Sequence, residues 1–383
     1  MKPLVSRRLL AVLVLSVALG VTLWACSDEG NDYSPTSPLV SRPGFELTIT
    51  NPEIQRVMAV QDRHTPDFFG IDGVVGTATS LSEDGTGIIK VYTKAPLPKG
   101  KLPAMIEGVQ VVEHVSGELI ARGGPPPMDG GGGGDDPKVK QTPPVKMGTS
   151  GGWRYDLANG FCCGGTLGSL VQIGGTQYVL SNWHVLYSDI VSGGNNRTAQ
   201  PGDPVIQPGL IDVGCNAGQA QDVATLVSGG GSLPNANVDA GIAQVISGMV
   251  DGTGAILNIG TISSQTVGAS VGQAVKKMGR TTGLSRAAVD GLNASVSITY
   301  SNECAGGTAF TKSFTGQIIT TNRRCAFLNG GDSGSLMVED VDTNPRAVGL
   351  LYAGSSICNP NAVAVANPIN EVLNHFGASM VGN

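Results

Sequence analysis

The sequence predicts a mainly β fold preceded by a small α+β module, and three observations lead there. The chain carries 56 glycines among 383 residues, with only 14% charged and 5% aromatic, a composition suited to many short strands joined by tight turns. Short apolar runs such as Tyr178-Val179-Leu180 are bounded by Gly, Asn, Asp and Ser, which favour turns. A Gly- and Pro-rich stretch over residues 123–151, with the glycine run Gly130 to Gly134, divides the chain. Nothing in that stretch can bury a core, so it reads as a flexible linker, extended around its prolines. The length leaves room for two or three domains.

The elements follow in order. Lys2, Arg7 and Arg8 precede an apolar run from Leu9 to Val21 that leads into Leu23-Trp24-Ala25-Cys26, the form of a secretory signal over residues 1–25. Those last four residues resemble a bacterial lipobox, which implies lipid on Cys26 and a protein held at the membrane of a bacterial cell envelope; a plain secretory signal cut nearby and an uncleaved anchor are the alternatives. Residues 26–43 are a polar tether. The module over residues 44–122 opens with a helix: Asn51 as N-cap, Pro52 in the first turn, then Ile54, Val57, Met58 and Asp62 on helical spacing. Strands over residues 73–81 and 87–93 are joined at Glu83-Asp84-Gly85, a hairpin signal, and a third strand falls within residues 103–115. A ferredoxin-like α+β layer is expected. Such a module serves as a pro-segment that contacts the following domain, or as a spacer or binding module that stays attached, and the residues do not choose between these. His64 and His114 are assigned surface or packing roles. The chain closes with Asn367-Pro368, then Ile369, Val372, Leu373 and Phe376 on one face of a short amphipathic helix.

Chemistry concentrates in the large domain over residues 152–383. The run Asn329-Gly330-Gly331-Asp332-Ser333-Gly334-Ser335 flanks one serine with small residues, so backbone N–H groups of Gly331 and Ser333 can approach a carbonyl closely. A run of this composition is also an ordinary turn. A nucleophilic serine needs a base, and the base an orienting carboxylate. Of the four histidines, His184 follows the apolar run Tyr178 to Ser181 and so lies at the rim of a sheet. Asp239 stands immediately before the apolar run Ala240 to Val245, where a buried carboxylate requires a partner. Asp222, before Val223-Ala224-Thr225-Leu226, competes for the same role.

The order His184, Asp239, Ser333, within Ser-Asn-Trp-His-Val, Val-Asp-Ala-Gly-Ile-Ala and Gly-Asp-Ser-Gly-Ser, resembles the bacterial trypsin/chymotrypsin-like serine proteases, streptogrisin- and Deg-like domains among them. Subtilisin and α/β-hydrolases order their triads differently. Gly279-Arg280-Thr281-Thr282-Gly283 and Ala347 to Gly354 are similar to further family segments, and the resemblance spans about residues 145–380. It implies a double β-barrel ending in a helix, and a serine endopeptidase acting on protein or peptide substrates without cofactor or metal. His184, Asp239 and Ser333 would be catalytic, with the oxyanion held by the N–H groups of Gly331 and Ser333. It also implies a primary pocket floored by Ala326, Phe327 and Leu328 and faced by Leu351, Tyr352 and Ala353. That pocket reads as apolar, although such short runs equally serve as core. The sequence departs from the family in having no Ile-Val-Gly-Gly-like segment whose cleavage would supply a new N-terminus for Asp332. A catalytically silent binding scaffold, or an esterase using the same triad, would share these motifs; the intact triad argues against the first.

Seven cysteines are present. With Cys26 assigned to lipid, six remain for disulfides; the resemblance pairs Cys325 with Cys358, while Cys162, Cys163, Cys215 and Cys304 stay unassigned. No Cys-x-x-Cys spacing points to zinc. A net charge of −6 and the lack of a basic stripe argue against nucleic-acid binding.

Overall fold

The computed structural model describes residues 48–121, 135–158, 161–187, 197–300 and 309–383. The signal segment, Cys26, the tether over residues 26–43 and residues 122–134 lie outside these. The N-terminal part contains α1 (Pro52–Phe69), β1 (Val74–Leu81), β2 (Gly87–Thr93), β3 (Met105–Ile106), β4 (Val109–Val115) and β5 (Leu119–Ala121). Asn51 caps α1 as expected, its Oδ1 accepting from the N–H groups of Glu53 and Ile54 at 2.9 and 3.3 Å. The helix buries Ile54, Val57, Val60 and Phe68.

Next come β6 (Thr149–Trp153), the short pair β7 (Leu157–Ala158) and β8 (Phe161–Cys162), then β9 (Gly165–Leu167), β10 (Ser169–Ile173), β11 (Thr176–Ser181) and the single turn α2 (Trp183–Leu186). They are followed by β12 (Pro204–Gln207), β13 (Gln221–Gly231) and β14 (Gly241–Val245), with a ribbon of β15 (Ala255–Ile256) and β16 (Gly260–Thr261). The remaining elements are β17 (Ala274–Gly279), β18 (Gly283–Tyr300), β19 (Phe310–Thr321), β20 (Leu336–Glu339), β21 (Ala347–Ser355), β22 (Val363–Pro368), α3 (Ile369–Phe376) and β23 (Ser379–Met380).

The fold is mainly β, with two barrel-like sheets and a closing helix. One sheet runs β23-β10-β11-β14-β13-β12-β6-β9. In the other, β17-β20-β21-β22-β19-β18 follow in order, and a further β17–β18 pairing closes the ring. Turn chemistry sets the local register: Ile173 faces Thr176 across Gly174 and Gly175, whose φ values of 55° and 83° fit the left-handed demands of a two-residue hairpin. Antiparallel pairing of β11 with β14 puts Ser181 opposite Gly241. That register carries the segment after β11 and the segment before β14 to the same corner.

Two features go beyond the sequence reading. The N-terminal module does not stand apart: β1 pairs with β18, Gly76 opposite Val296 and Thr77 opposite Ser295, so its strands extend the second sheet. One described helix covers them, rather than the two of a ferredoxin-like layer. The physical reason is the free edge of β1, whose unpaired N–H and C=O groups are satisfied by β18. Buried Gln61 adds to the seam, donating to Asn293 O at 2.8 Å and accepting from Thr79 Oγ1 at 2.8 Å. The linker is also shorter than its composition suggests. Val145 and Met147 are fully buried and Val145 N–H donates to Met249 O, because these apolar residues have a core to enter once β6 is in place.

The strand β5 is wedged between two barrel strands. Ile120 and Leu119 pair antiparallel with Gly354 and Ser355 of β21, while Ile120 and Ala121 pair parallel with Thr299 and Tyr300 of β18. Ser356 N–H adds a bond to Glu118 O at 2.7 Å. No helix among the described residues is long and apolar enough to cross a membrane.

Candidate active site

His184 lies on α2, which begins directly after β11, and Asp239 precedes β14, so the strand register described above brings them together. His184 Nδ1 is 2.6 Å from Asp239 Oδ2, with the histidine side chain 7% exposed and the aspartate 0%. An ionised carboxylate only accepts, so Nδ1 carries the proton and Nε2 the lone pair. Asp239 Oδ1 accepts from the N–H groups of Trp183 and His184 at 2.8 and 3.4 Å, and Oδ2 also accepts from Tyr300 Oη at 2.8 Å. Charge-assisted bonds of this kind compensate a carboxylate stripped of water. Asn367 fixes the backbone beneath it, accepting from Asp239 N–H at 3.0 Å. His184 Nε2 is buried without a hydrogen-bond partner.

Ser333 sits in the tight loop between the short 3-10 turn Arg323–Cys325 and β20. Gly331 and Gly334 both have φ of 91°, and a Cβ at Gly334 would come within 2.2 Å of Ser181 Oγ and 2.3 Å of Thr166 O, so only glycine fits. Thr166 on β9 ties the loop to the first barrel: its N–H donates to Ser333 O at 2.8 Å and its Oγ1 to Gly331 O at 2.9 Å. Gly165 marks the convergence, since a Cβ there would meet Val185 at 2.6 Å and Ser333 O at 2.9 Å. The N–H groups of Gly331 and Ser333 donate to no described group. Ser333 Oγ donates to Tyr352 O at 3.5 Å; with Nε2 unpartnered, Ser333 and His184 are not hydrogen-bonded to each other in this state.

Asp332 has a partner that sequence reasoning missed. Lys277 on β17, fully buried, places Nζ 3.1 Å from Asp332 Oδ1 and 3.2 Å from Gly283 O. Asp332 further accepts from Thr281 N–H at 2.8 Å, Thr282 N–H at 3.1 Å, Thr282 Oγ1 at 2.9 Å and Asn329 N–H at 2.9 Å. Burial pushes the Lys277 ammonium below its ordinary range, and Asp332 opposes that shift. The only sequence signal was the lack of a terminal amine for Asp332. Next to this pair Arg280 forks onto buried Asp212, with Nε 2.8 Å from Oδ2.

The remaining expected residues are placed as follows. Asp222 makes a partly exposed ion pair with Arg154 at 2.6 Å. Phe327, Leu328 and Leu351 are buried in an apolar core shared with Ile54 of α1. Tyr352 and Ala353 pack in the main core, and Ala326 is exposed. Cys325 is bonded to Cys358, and Cys162 to Cys215; Cys163 is disulfide-bonded as well. Among the described residues no group of three or more His, Cys, Asp or Glu is arranged to hold a metal. His64 contacts Glu107 at 2.8 Å, and His114 Nε2 lies 2.7 Å from Asn361 O.

Residues 220–364 match the Nal1 C-terminal domain family. That match spans less than half of the chain. Streptogrisin-A of Streptomyces griseus is 34% identical over 113 residues, which is 30% of this chain and 32% of that protein. The chain thus spans about a third of the length of that relative. Among solved structures, a glutamic acid-specific serine protease shows 20% identity and a TM-score of 0.41, over 62% of this chain and 100% of its own. Thermobifida fusca protease A shows 20% identity and a TM-score of 0.40, over 62% and 99% respectively.

Proposed function

We propose that this chain is a trypsin-like serine endopeptidase with His184, Asp239 and Ser333 as its triad. The observation that carries the proposal is the buried His184–Asp239 bond, which leaves Nε2 unpartnered in the corner where the Ser333 loop closes. His184 Nε2 takes the Ser333 Oγ proton as Oγ adds to the peptide carbonyl, and Asp239 stabilises the imidazolium. The unengaged N–H groups of Gly331 and Ser333 receive the oxyanion, a contribution worth about 10²–10³ in turnover. The imidazolium then protonates the leaving amine, and water, deprotonated by the same His184, releases the acyl group from Ser333. Ser333 and His184 come into hydrogen-bond range when substrate is seated, since such bonds are often long in unliganded enzymes. The partial similarity to streptogrisin-A supports the same chemistry.

The N-terminal segment serves in this reading as a pro-segment covering the site. An extended peptide substrate adds as a strand to a sheet edge, and β5 already occupies the edge of β21 at Gly354 and Ser355, two residues beyond Tyr352. Disulfides fit an oxidising compartment, in keeping with export through residues 1–25 and lipid attachment at Cys26. The test is fluorophosphonate labelling of the purified exported protein beside Ser333→Ala, with intact mass and matched peptide and ester substrates. Labelling confined to wild type, stronger once the segment over residues 122–134 is cut, and peptide cleavage are expected. No labelling of either the intact or the cut form overturns the proposal, and ester cleavage alone makes the protein an esterase.

A further inference from the structure

We propose that Tyr300 is a positioning residue for the His184–Asp239 pair, acting through its hydroxyl on Asp239 Oδ2. This rests on the protease reading above and adds a residue that the triad motifs do not contain. Tyr300 ends the long strand β18 of the second sheet, yet its hydroxyl reaches across to the carboxylate that the first sheet supplies, at 2.8 Å. Its ring stacks on Phe310 at 4.8 Å and 4° and stands edge-on to His184 at 5.9 Å and to Trp183 at 6.4 Å. The phenol is therefore held by packing on several sides and its single polar atom is aimed at one oxygen.

The consequence is electrostatic. Oδ2 takes two donors, His184 Nδ1 and Tyr300 Oη, which share the charge of one carboxylate oxygen. Among the described residues, the titratable groups facing Asp239 are His184 from α2, Tyr300 from β18 and Tyr352 from β21. Burial, Asp239 and Tyr352 push the Tyr300 phenol well above its ordinary value, so it remains a donor throughout the working pH range. Without that hydroxyl the carboxylate charge is less compensated and its hold on a cationic imidazole strengthens. The neutral base is then reached only at higher pH. Tyr300 also orients Oδ2, because a second donor narrows the directions from which Nδ1 can approach.

The experiment is the pH profile of fluorophosphonate labelling of the purified full chain, comparing wild type, Tyr300→Phe, Phe310→Leu and protein with 3-fluorotyrosine placed at position 300. Tyr300→Phe is expected to move the acidic limb up by about 0.5–1 pH unit and to slow labelling about tenfold below that limb. The fluorinated phenol, a stronger donor of nearly the same shape, moves the limb down and remains informative even if Tyr300→Phe folds poorly. Phe310→Leu loosens the ring but keeps the hydroxyl, so its limb stays near that of wild type. The proposal is overturned if wild type is labelled at Ser333 but neither position-300 variant moves the limb, or if Phe310→Leu moves it as far as Tyr300→Phe. Absence of labelling in wild type, both intact and cut within residues 122–134, sinks the protease reading and this inference together.

Discussion

Replacing Lys277 with Met isolates what holds the nucleophile loop in shape. Lys277 and Asp332 are both fully buried and 3.1 Å apart, so the substitution strands a carboxylate away from water. Breaking a buried pair from one side costs about 3–5 kcal/mol. Four other donors to Asp332 remain, from Thr281, Thr282 (two) and Asn329, which places the expected loss at the low end, about 3 kcal/mol. For a body of this size that is a fall in melting temperature of roughly 4–5 °C. The double variant Lys277→Met with Asp332→Asn removes both charges and should recover most of the loss, since a buried pair as a whole is often near neutral. Urea denaturation of the two variants beside wild type reads this directly. A single variant within about 1 kcal/mol of wild type, or a double variant no more stable than the single, would refute the claim that this pair is a coupled unit.

Other outcomes can be checked in parallel. Ser333→Ala is expected to abolish labelling while leaving urea stability within about 0.5 kcal/mol, as no bond shorter than 3.5 Å is lost from its hydroxyl. Replacing Cys325 and Cys358 by Ala opens a closure of 33 residues and should cost about 3–4 kcal/mol by chain entropy, read as a lower urea midpoint. Glu107, held by Arg63 and His64 to about 2, has a folded value below its unfolded one. Its contribution is therefore complete above the unfolded value and lost as pH falls from about 4.5 toward about 2, and Glu107→Gln should flatten the stability curve in that window. An unchanged acid limb in that variant would show that the cluster contributes nothing.

The sequence made part of this molecule legible for identifiable reasons. His184, Asp239 and Ser333 each sit in a short local signature at a strand end, and local signatures survive without coordinates. Asn51 and Pro52 announced α1 in the same way. What stayed hidden depends on pairing at long range. Tyr300 lies 61 residues from Asp239 at the end of an apolar strand, where a tyrosine reads as core. Lys277 follows Lys276 in a strand and reads as solvent-facing, and only the open question of a partner for Asp332 pointed to it. Thr166, between Gly165 and Leu167, carries no signal at all. The joining of β1 to β18 was likewise invisible, because an edge strand has the same alternation whether its neighbour is water or another sheet. Phe327, Leu328 and Leu351 were ambiguous from the start, because a short apolar run reads the same as core or as ligand wall, and they are buried in one cluster with Ile54.

One consequence of the shared sheet concerns the molecule after any cut in the linker. Between Leu292 and Tyr300, one side of β18 is bonded to β19 and the other, among the described residues, is bonded only to N-terminal strands, through β1 and β5. Departure of those strands would leave a row of unsatisfied amides and carbonyls on a long, apolar ribbon, the sort of border that recruits any extended chain nearby. The liberated domain would then have a vacancy for a strand as well as a vacancy for substrate. Its tendency to pair with its own kind would rise with the square of its concentration, so keeping a cut N-terminal segment docked, or the freed domains dilute, is what keeps them apart.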